Sequence, residues 1–432
     1  MAGGNLAGTI LLSHVLGSTG QGEFYLAIAI YSLLWFTVNL GLYSITIAKV
    51  AAAVSAKSRE AAVDSMAYLA RASFFLAILT ATLAWTVVPF IARAWLGDQV
   101  TDADLVIRAA GILALSPLLE LPRIVMLAGL EGTRTMRSVA RIENGQEACR
   151  VLLVAAGALL TGDAMGPVLG MLTASGIGSL LALDAWRRQS RKNTFLPRLG
   201  EVVRRALHIP LRGGLTLGLQ VGVVRNINAL GVQILPPLIL GRFSSPEWVA
   251  YLRIAQKVVD VTRLMMKGIS RTALPVLSEL AGVKDLSGLR RVYWRASWMS
   301  GGTLFTGLLL ATPFVRPVLA AMFPREFVDP VWTCYLILLP GMFFVCFAVA
   351  NDTFYLVTNQ MRMAILVSAV GMIVNTSVLT YLCWRLPEYG AAWGLSFTFL
   401  WAGMHMLYAG LWFRRHAPHP PTDDLDPTPA TT

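Results

Sequence analysis

Apolar stretches of about twenty residues recur along this chain, with short basic segments between them, and this restricts the fold more than any other feature. At 1.5 Å rise per residue, roughly 20 apolar residues cross the ~30 Å hydrocarbon core of a bilayer, and globular strands and core helices are shorter. The chain therefore reads as an all-α polytopic membrane protein. Composition agrees: 56% of residues are hydrophobic and 14% charged, against roughly a quarter charged in soluble domains. The net charge of +12 does not imply nucleic acid, because the basic residues sit between apolar segments, as membrane topology requires. Cys149, Cys334, Cys346 and Cys383 show no metal-ligand spacing and no disulfide framework, and read as small core hydrophobes. The five histidines are spread too thinly for a metal or cofactor site, so no cofactor is expected. The N-terminus lacks the pattern of a cleavable signal peptide.

Hydropathy places twelve spans at roughly 3–14, 25–48, 68–92, 105–128, 147–162, 164–184, 214–240, 248–275, 296–319, 331–350, 363–383 and 390–413. The first is too short for a full crossing, which makes it half a span unless the chain's true start lies upstream. The fifth is also short, with Arg150 near one end and Asp163 beyond the other. Lysine and arginine test the count independently. With both termini cytoplasmic, 23 of the 36 basic residues fall on the cytoplasmic loops and span ends and 6 on the opposite face, in alternation down the chain.

The longest and most basic internal loop, 187–212, divides the chain into two six-helix lobes. The expected organisation is a lobe over 1–186, a basic amphipathic connector over 187–212, a second lobe over 213–415 and a disordered cytoplasmic tail over 416–432. A second, shorter connector is expected near 279–291. An internal repeat supports the division. Leu16-Gly17, then Glu23 and Tyr25-Leu26-Ala27-Ile28-Ala29, matches Leu240-Gly241, then Glu247 and Tyr251-Leu252-Arg253-Ile254-Ala255. Both copies join an odd span to an even one in the same orientation, so the repeat is parallel, an arrangement some transporters use for alternating access.

The eighth span carries Arg253, Gln256, Lys257, Asp260, Arg263, Lys267 and Arg271. At about 100° per residue these fall within a stripe roughly 120° wide. Charges facing lipid would cost several kilocalories per mole each, so the stripe must face protein or water. The bland alternative is an interfacial helix, or snorkelling by Arg253 and Arg271, which accounts less well for Lys257, Asp260 and Arg263 near the middle. Arg225 lies near the middle of the seventh span. Arg123, one turn from Glu120, reads equally as half of a structural ion pair. Asn39, Asn375 and Asn351-Asp352 read as packing or capping groups. The sequence shows no phosphate loop, dinucleotide fingerprint, HExxH or paired catalytic carboxylates, and the chain is not expected to be an enzyme.

Several segments resemble a known family. Leu16-Gly17-Ser18-Thr19-Gly20-Gln21-Gly22-Glu23-Phe24 is similar to the LGxxxxGxF turn between the first two helices of bacterial polysaccharide flippases. The run from Ala27 to Asn39-Leu40-Gly41-Leu42 resembles their second helix. Leu274-Pro275-Val276-Leu277-Ser278 resembles the exit of the eighth, and Ala320-Ala321-Met322-Phe323-Pro324-Arg325-Glu326-Phe327 an outer loop. Pro387-Glu388-Tyr389-Gly390-Ala391-Ala392 resembles the approach to the last helix. These motifs run over nearly the whole chain, and their force lies in order and spacing.

The resemblance implies an O-antigen, capsule or exopolysaccharide repeat-unit flippase of the multidrug/oligosaccharidyl-lipid/polysaccharide exporter superfamily, with two six-helix lobes around a central cavity. Its substrate would be a polyprenyl-pyrophosphate-linked oligosaccharide, flipped across the bacterial cytoplasmic membrane. A coupling ion, a polysaccharide polymerase and a chain-length regulator are the partners it brings, besides membrane lipid. A cavity lined by Arg225, Arg253, Lys257, Asp260, Arg263 and Lys267 would suit a pyrophosphate, which the arginine fork matches. Three alternatives stand beside this reading: a cation-coupled drug antiporter, a peptidoglycan-precursor flippase, and a non-transporting scaffold of polysaccharide assembly.

Overall fold

The computed structural model describes residues 2–38, 41–100, 102–192, 195–210, 226, 227, 229–283 and 285–416. The side chains at 2–5, 36–38, 98, 264, 267, 268, 270–272, 274 and 275 also lie outside the described residues. Among those described, all secondary structure is helical. The first half contains α1 (Ala2–Val38), α2 (Leu42–Ser55), α3 (Arg59–Thr86), α4 (Val88–Leu96), α5 (Ala103–Leu113), α6 (Ser116–Gly132), α7 (Met136–Thr161) and α8 (Met165–Lys192). A short helix, α9 (Leu199–His208), follows. The second half has a π turn at Leu230–Ile234, then α10 (Leu235–Phe243), α11 (Pro246–Gly282), α12 (Leu286–Met322) and α13 (Arg325–Phe347). It ends with α14 (Asn351–Val357), α15 (Met361–Arg385), α16 (Gly390–Leu400) and α17 (Ala402–Arg415).

Among the described residues these helices follow the expected passes, and of the seventh only 226, 227 and 229–240 are described. Six stretches are by themselves long and apolar enough to cross a membrane: Arg59–Thr86, Ala103–Gly132, Met165–Lys192, Leu286–Met322, Arg325–Val357 and Met361–Arg385. The other passes are short, interrupted or charged. The first two share α1, which breaks at Gly17 (φ 64°, ψ −171°), a backbone conformation that glycine adopts without a Cβ penalty. Phe90 and Leu160 are 76% and 85% exposed, as side chains turned to lipid would be.

Several boundaries move outward from the hydropathy reading. The fifth pass is not short: α7 begins at Met136, so Arg137, Arg141, Glu143, Glu147 and Arg150 all ride on it. Hydropathy stopped at those charges, but a helix ends where its backbone bonds end. The eighth pass likewise runs the whole of α11. No separate connector exists near 279–291, because α11 reaches Gly282 and α12 starts at Leu286. Asp285 caps α12, accepting from Gly288 N–H at 2.8 Å and from the Ser287 hydroxyl at 2.8 Å. Those bonds hold its carboxyl below the usual carboxylate range. In the 187–212 region, α8 continues to Lys192 and α9 packs on α3. Arg59 pairs with Glu201 at 2.6 Å and Arg205 with Asp64 at 2.5 Å, while Arg71 donates to the Ile209 carbonyl at 2.6 Å. The tail beyond His416 lies outside the described residues.

The core has a different organisation at the two ends of the bundle. At the end with the acidic loops, one apolar cluster joins both halves: Phe24, Leu26 and Leu96 pack with Leu240, Val249, Leu252 and Phe327. At the basic end there are two clusters, one around Met66, Leu130 and Trp186, the other around Tyr293, Phe354 and Phe413. Each draws on one half alone. The repeated segments form the joined end. A Cβ on Gly22 would fall 1.9 Å from the carbonyl oxygen of Pro246, its counterpart in the repeat. Thr19 donates to Glu247 at 2.7 Å, Ser18 N–H to Glu326 at 3.0 Å, and the Trp95 indole to the Leu238 carbonyl at 2.9 Å. Equivalent positions meet there as they would across a two-fold axis.

Candidate functional site

Above that seam lies a cavity of about 270 Å³ lined by α1, α7, α8, α11 and the π turn before α10. Arg253, Lys257, Asp260 and Arg263 all line it, as their 3–4-residue spacing on one face of α11 requires. Ile254, Ala255 and Val259, on other faces, are wholly buried. Arg225 lies outside the described residues, and so does the side chain of Lys267. Four of the six expected site residues are thus brought together.

Their partners differ. Arg263 pairs with Asp260 at 3.0 Å and stands 4.4 Å from the centroid of the Phe399 ring. Lys257 donates to Thr9 Oγ1 and, at 3.0 Å, to Tyr25 OH, so it bridges the halves. Its ammonium is also 5.2 Å from the Tyr25 ring centroid. Arg253 donates to the Gln233 carbonyl at 2.5 Å and to Gln256 at 3.1 Å, and Gln256 donates to the Val232 carbonyl at 3.2 Å. Those two carbonyls belong to the π turn, whose wider spacing disturbs the regular helical bonding. Arg253 and Gln256 therefore fasten the seventh pass to the eighth. Among the described residues the hydrogen-bond partners of Arg253 and Lys257 are neutral, and no carboxylate is bonded to either.

Sequence reasoning missed three polar lining residues, Thr9, Tyr25 and Arg150, whereas Gln233 was among the polar residues expected near Arg225. Arg150 was placed at a span end, but it lies past the middle of α7 and pairs with Glu147 at 2.8 Å. Its signal was the run Glu143, Glu147, Arg150, whose steps of four and three residues keep to helical spacing. Tyr25 sits in the repeat opposite Tyr251, but the repeat alone does not say which copy meets the cavity. Tyr251 instead packs edge-on against Trp248 and Phe327 in the seam.

Arg263 also borders a second cavity, about 220 Å³, inside the second half. Asn351, Asp352, Tyr355, Ser368, Asn375 and His405 are among its lining. Asn351 accepts from Tyr293 at 2.7 Å and donates to the Ala402 carbonyl at 3.3 Å, which is the packing role expected of it. Asn375 is different. Its side-chain oxygen is buried with no hydrogen-bond partner among the described residues, and the residue lines this cavity together with Asp352. Asn39 lies outside the described residues. Arg123 lines neither cavity and pairs with Glu120 at 2.8 Å, both side chains more than four-fifths buried.

No protein-family model matches the chain, and no curated protein matches it in sequence. Solved structures match its fold over nearly its whole length. An inward-facing multidrug resistance MATE family transporter of the MOP superfamily has a TM-score of 0.75 at 14% identity, covering 96% of each chain. The lipid II flippase MurJ, in an inward closed conformation, scores 0.71 at 12% identity, covering 95% of this chain and 85% of the flippase. A MOP superfamily transporter from Pyrococcus furiosus, described by the reverse polarity of its binding pocket, scores 0.56 at 14% identity over 95% and 91% of the two chains. The chain shares the fold of these structures: all-α, polytopic, about twelve passes in two lobes.

Proposed function

We propose that this chain is a flippase for a lipid-linked anion, whose charged head group crosses the membrane through the cavity on α11 while its lipid tail stays in the bilayer. The observation that carries this reading is the pair Arg253 and Lys257, whose hydrogen-bond partners among the described residues are neutral. A pyrophosphate entering the cavity supplies the missing countercharge and accepts from both. The Lys257 contacts to Thr9 and Tyr25 tie α11 to α1 across the halves, so an anion that draws Lys257 away loosens the seam. Binding would then favour the opening of the joined end, which is the differential affinity that a population shift requires. The cargo we assign is a polyprenyl-pyrophosphate-linked oligosaccharide repeat unit of O-antigen, capsule or exopolysaccharide. The setting is the bacterial cytoplasmic membrane, with both termini and the basic loops in the cytoplasm. Arg225 and Lys267 are proposed to extend the same surface. A polymerase and a chain-length regulator would receive the product.

A second reading, cation-coupled export of an organic cation, has the better support from fold, since MATE transporters stand among the similar structures. It also has a candidate place for a coupling ion: the second cavity, lined by Asp352 and by Asn375, whose side-chain oxygen has no hydrogen-bond partner among the described residues. A peptidoglycan-precursor flippase is favoured by the likeness to MurJ. Charge decides our choice, because four cations and one acid are unsuited to a cationic cargo. The Pyrococcus protein's description shows that pocket polarity can differ on this fold.

The test uses purified protein in liposomes, offered a polyprenyl-pyrophosphate oligosaccharide, lipid II, or a cationic drug, with and without a sodium or proton gradient. Movement of the sugar-lipid that is lost in Lys257→Ala, with the variant still folded, is the expected result. Drug efflux with no sugar-lipid movement would overturn it in favour of the antiporter.

A further inference from the structure

The outer face of the second half carries a groove unrelated to the central cavity. It has a volume of about 500 Å³ and lies between α12, α13 and α17, on the bilayer side of the bundle near the basic loops. Trp294, Trp298, Phe343, Phe347, Leu407 and Leu411 make its walls. Its mouth carries Arg290 and Arg414. A smaller hollow shares Arg290 and Trp294 with it and adds Arg291, Trp412 and His416. The face of α17 that forms the floor repeats every three or four residues: Gly403, Met406, Leu407, Gly410, Leu411, Arg414. The two glycines give it depth. A Cβ on Gly403 would lie 2.7 Å from the Phe344 ring, and one on Gly410 would lie 3.5 Å from the Trp294 ring.

Arg290, Arg291 and Arg414 are exposed, and none forms an ion pair among the described residues. Three arginines above an aromatic-walled slot form an amphipathic pattern: cations at the level of the head groups and apolar walls at the depth of the acyl chains. Basic pockets between membrane helices bind anionic head groups, and arginine offers phosphate two parallel donors. We propose that this groove holds one anionic diacyl phospholipid, with its phosphate on Arg290, Arg291 and Arg414 and an acyl chain lying against Gly410 of α17. A zwitterionic lipid with the same chains fills the slot but presents its own cation to the arginines, so it binds less well.

Native mass spectrometry of the whole, detergent-purified protein reads this directly, with phosphatidylglycerol, phosphatidylethanolamine of identical chains and a polyprenyl phosphate added in competition. Phosphatidylglycerol should be retained about tenfold more than phosphatidylethanolamine, a preference lost in Arg290→Gln/Arg414→Gln. Gly410→Leu, which fills the slot and keeps the arginines, should reduce retention of the phospholipid, whereas Gly410→Ala should not. Equal retention of the two phospholipids by the unaltered protein would overturn the proposal without needing any variant to fold. Preferential retention of polyprenyl phosphate would overturn it too, since the occupant would then be a lipid carrier.

Discussion

Two groups of charges lie inside the membrane, one in each half, and they resolve in opposite ways. In the first half, Glu120 on α6 accepts from Arg123 at 2.8 Å, from Ser175 at 2.8 Å and from Gln146 at 3.4 Å. Gly178 leaves room for Gln146, since a Cβ there would lie 2.6 Å from its side chain. The acid is surrounded by donors contributed by three helices, so the group holds α6, α7 and α8 together. In the second half, the stripe on α11 has one acid, bound to Arg263, while Arg253 and Lys257 bond to neutral groups among the described residues. The lesson is that an intramembrane cation is not a site by virtue of being there. What matters is whether its countercharge is already present, because a cation held beside a carboxylate gains little by exchanging it for an anionic ligand.

This contrast can be broken by experiment. The largest effect should come from Glu120→Ala, which leaves Arg123 buried with no acid and should destabilise the protein by about 3–5 kcal/mol. Thermal melting in detergent checks it; a melting temperature like that of the unaltered chain would mean that the first group is not structural. Lys257→Ala should do the reverse. Folding should persist while translocation falls roughly ten- to a hundredfold, the equivalent of one charge-assisted hydrogen bond of about 1.5–3 kcal/mol. If melting falls and per-molecule transport does not, the two groups are alike and the comparison fails.

Arginine-to-lysine exchanges sharpen it further. Arg253→Lys keeps the charge but loses the fork that reaches both Gln233 and Gln256, so transport should drop only severalfold, with a small loss of stability from the π turn. A drop as large as that for Lys257→Ala would mean that the fork itself is essential to holding the pyrophosphate, and no drop would mean that Arg253 only fastens the seventh pass to the eighth. The smallest effect belongs to Arg205→Gln. Its partner Asp64 raises the Arg205 guanidinium further above its ordinary value, but the group is exposed to solvent. Melting and transport should both stay within error, and a marked loss of either would assign α9 a part in the opening of the halves.

The sequence by itself determined the membrane class, the number of passes and the stripe on α11. Each depends on a period along one chain: apolar length against bilayer thickness, alternating basic loops, and 100° per residue. It also held the parallel repeat, though not what the repeat does. Only the tertiary structure showed that Gly22 and Pro246 meet, because contact between positions 224 residues apart depends on how two lobes dock. Hydropathy failed at α7 for a related reason. It scores a charged turn as a boundary, whereas Glu147 and Arg150 pair with each other and leave the helix free to continue. The site was legible in part: the α11 residues were found from their face, while Thr9, Tyr25 and Arg150 reach the cavity from helices whose rotation no single-helix pattern fixes. The same holds for Arg123 and Lys257, which the sequence presents alike as cations in apolar surroundings. What separates them is the carboxylate beside one and the hydroxyls beside the other, and neighbours across helices are set by packing alone.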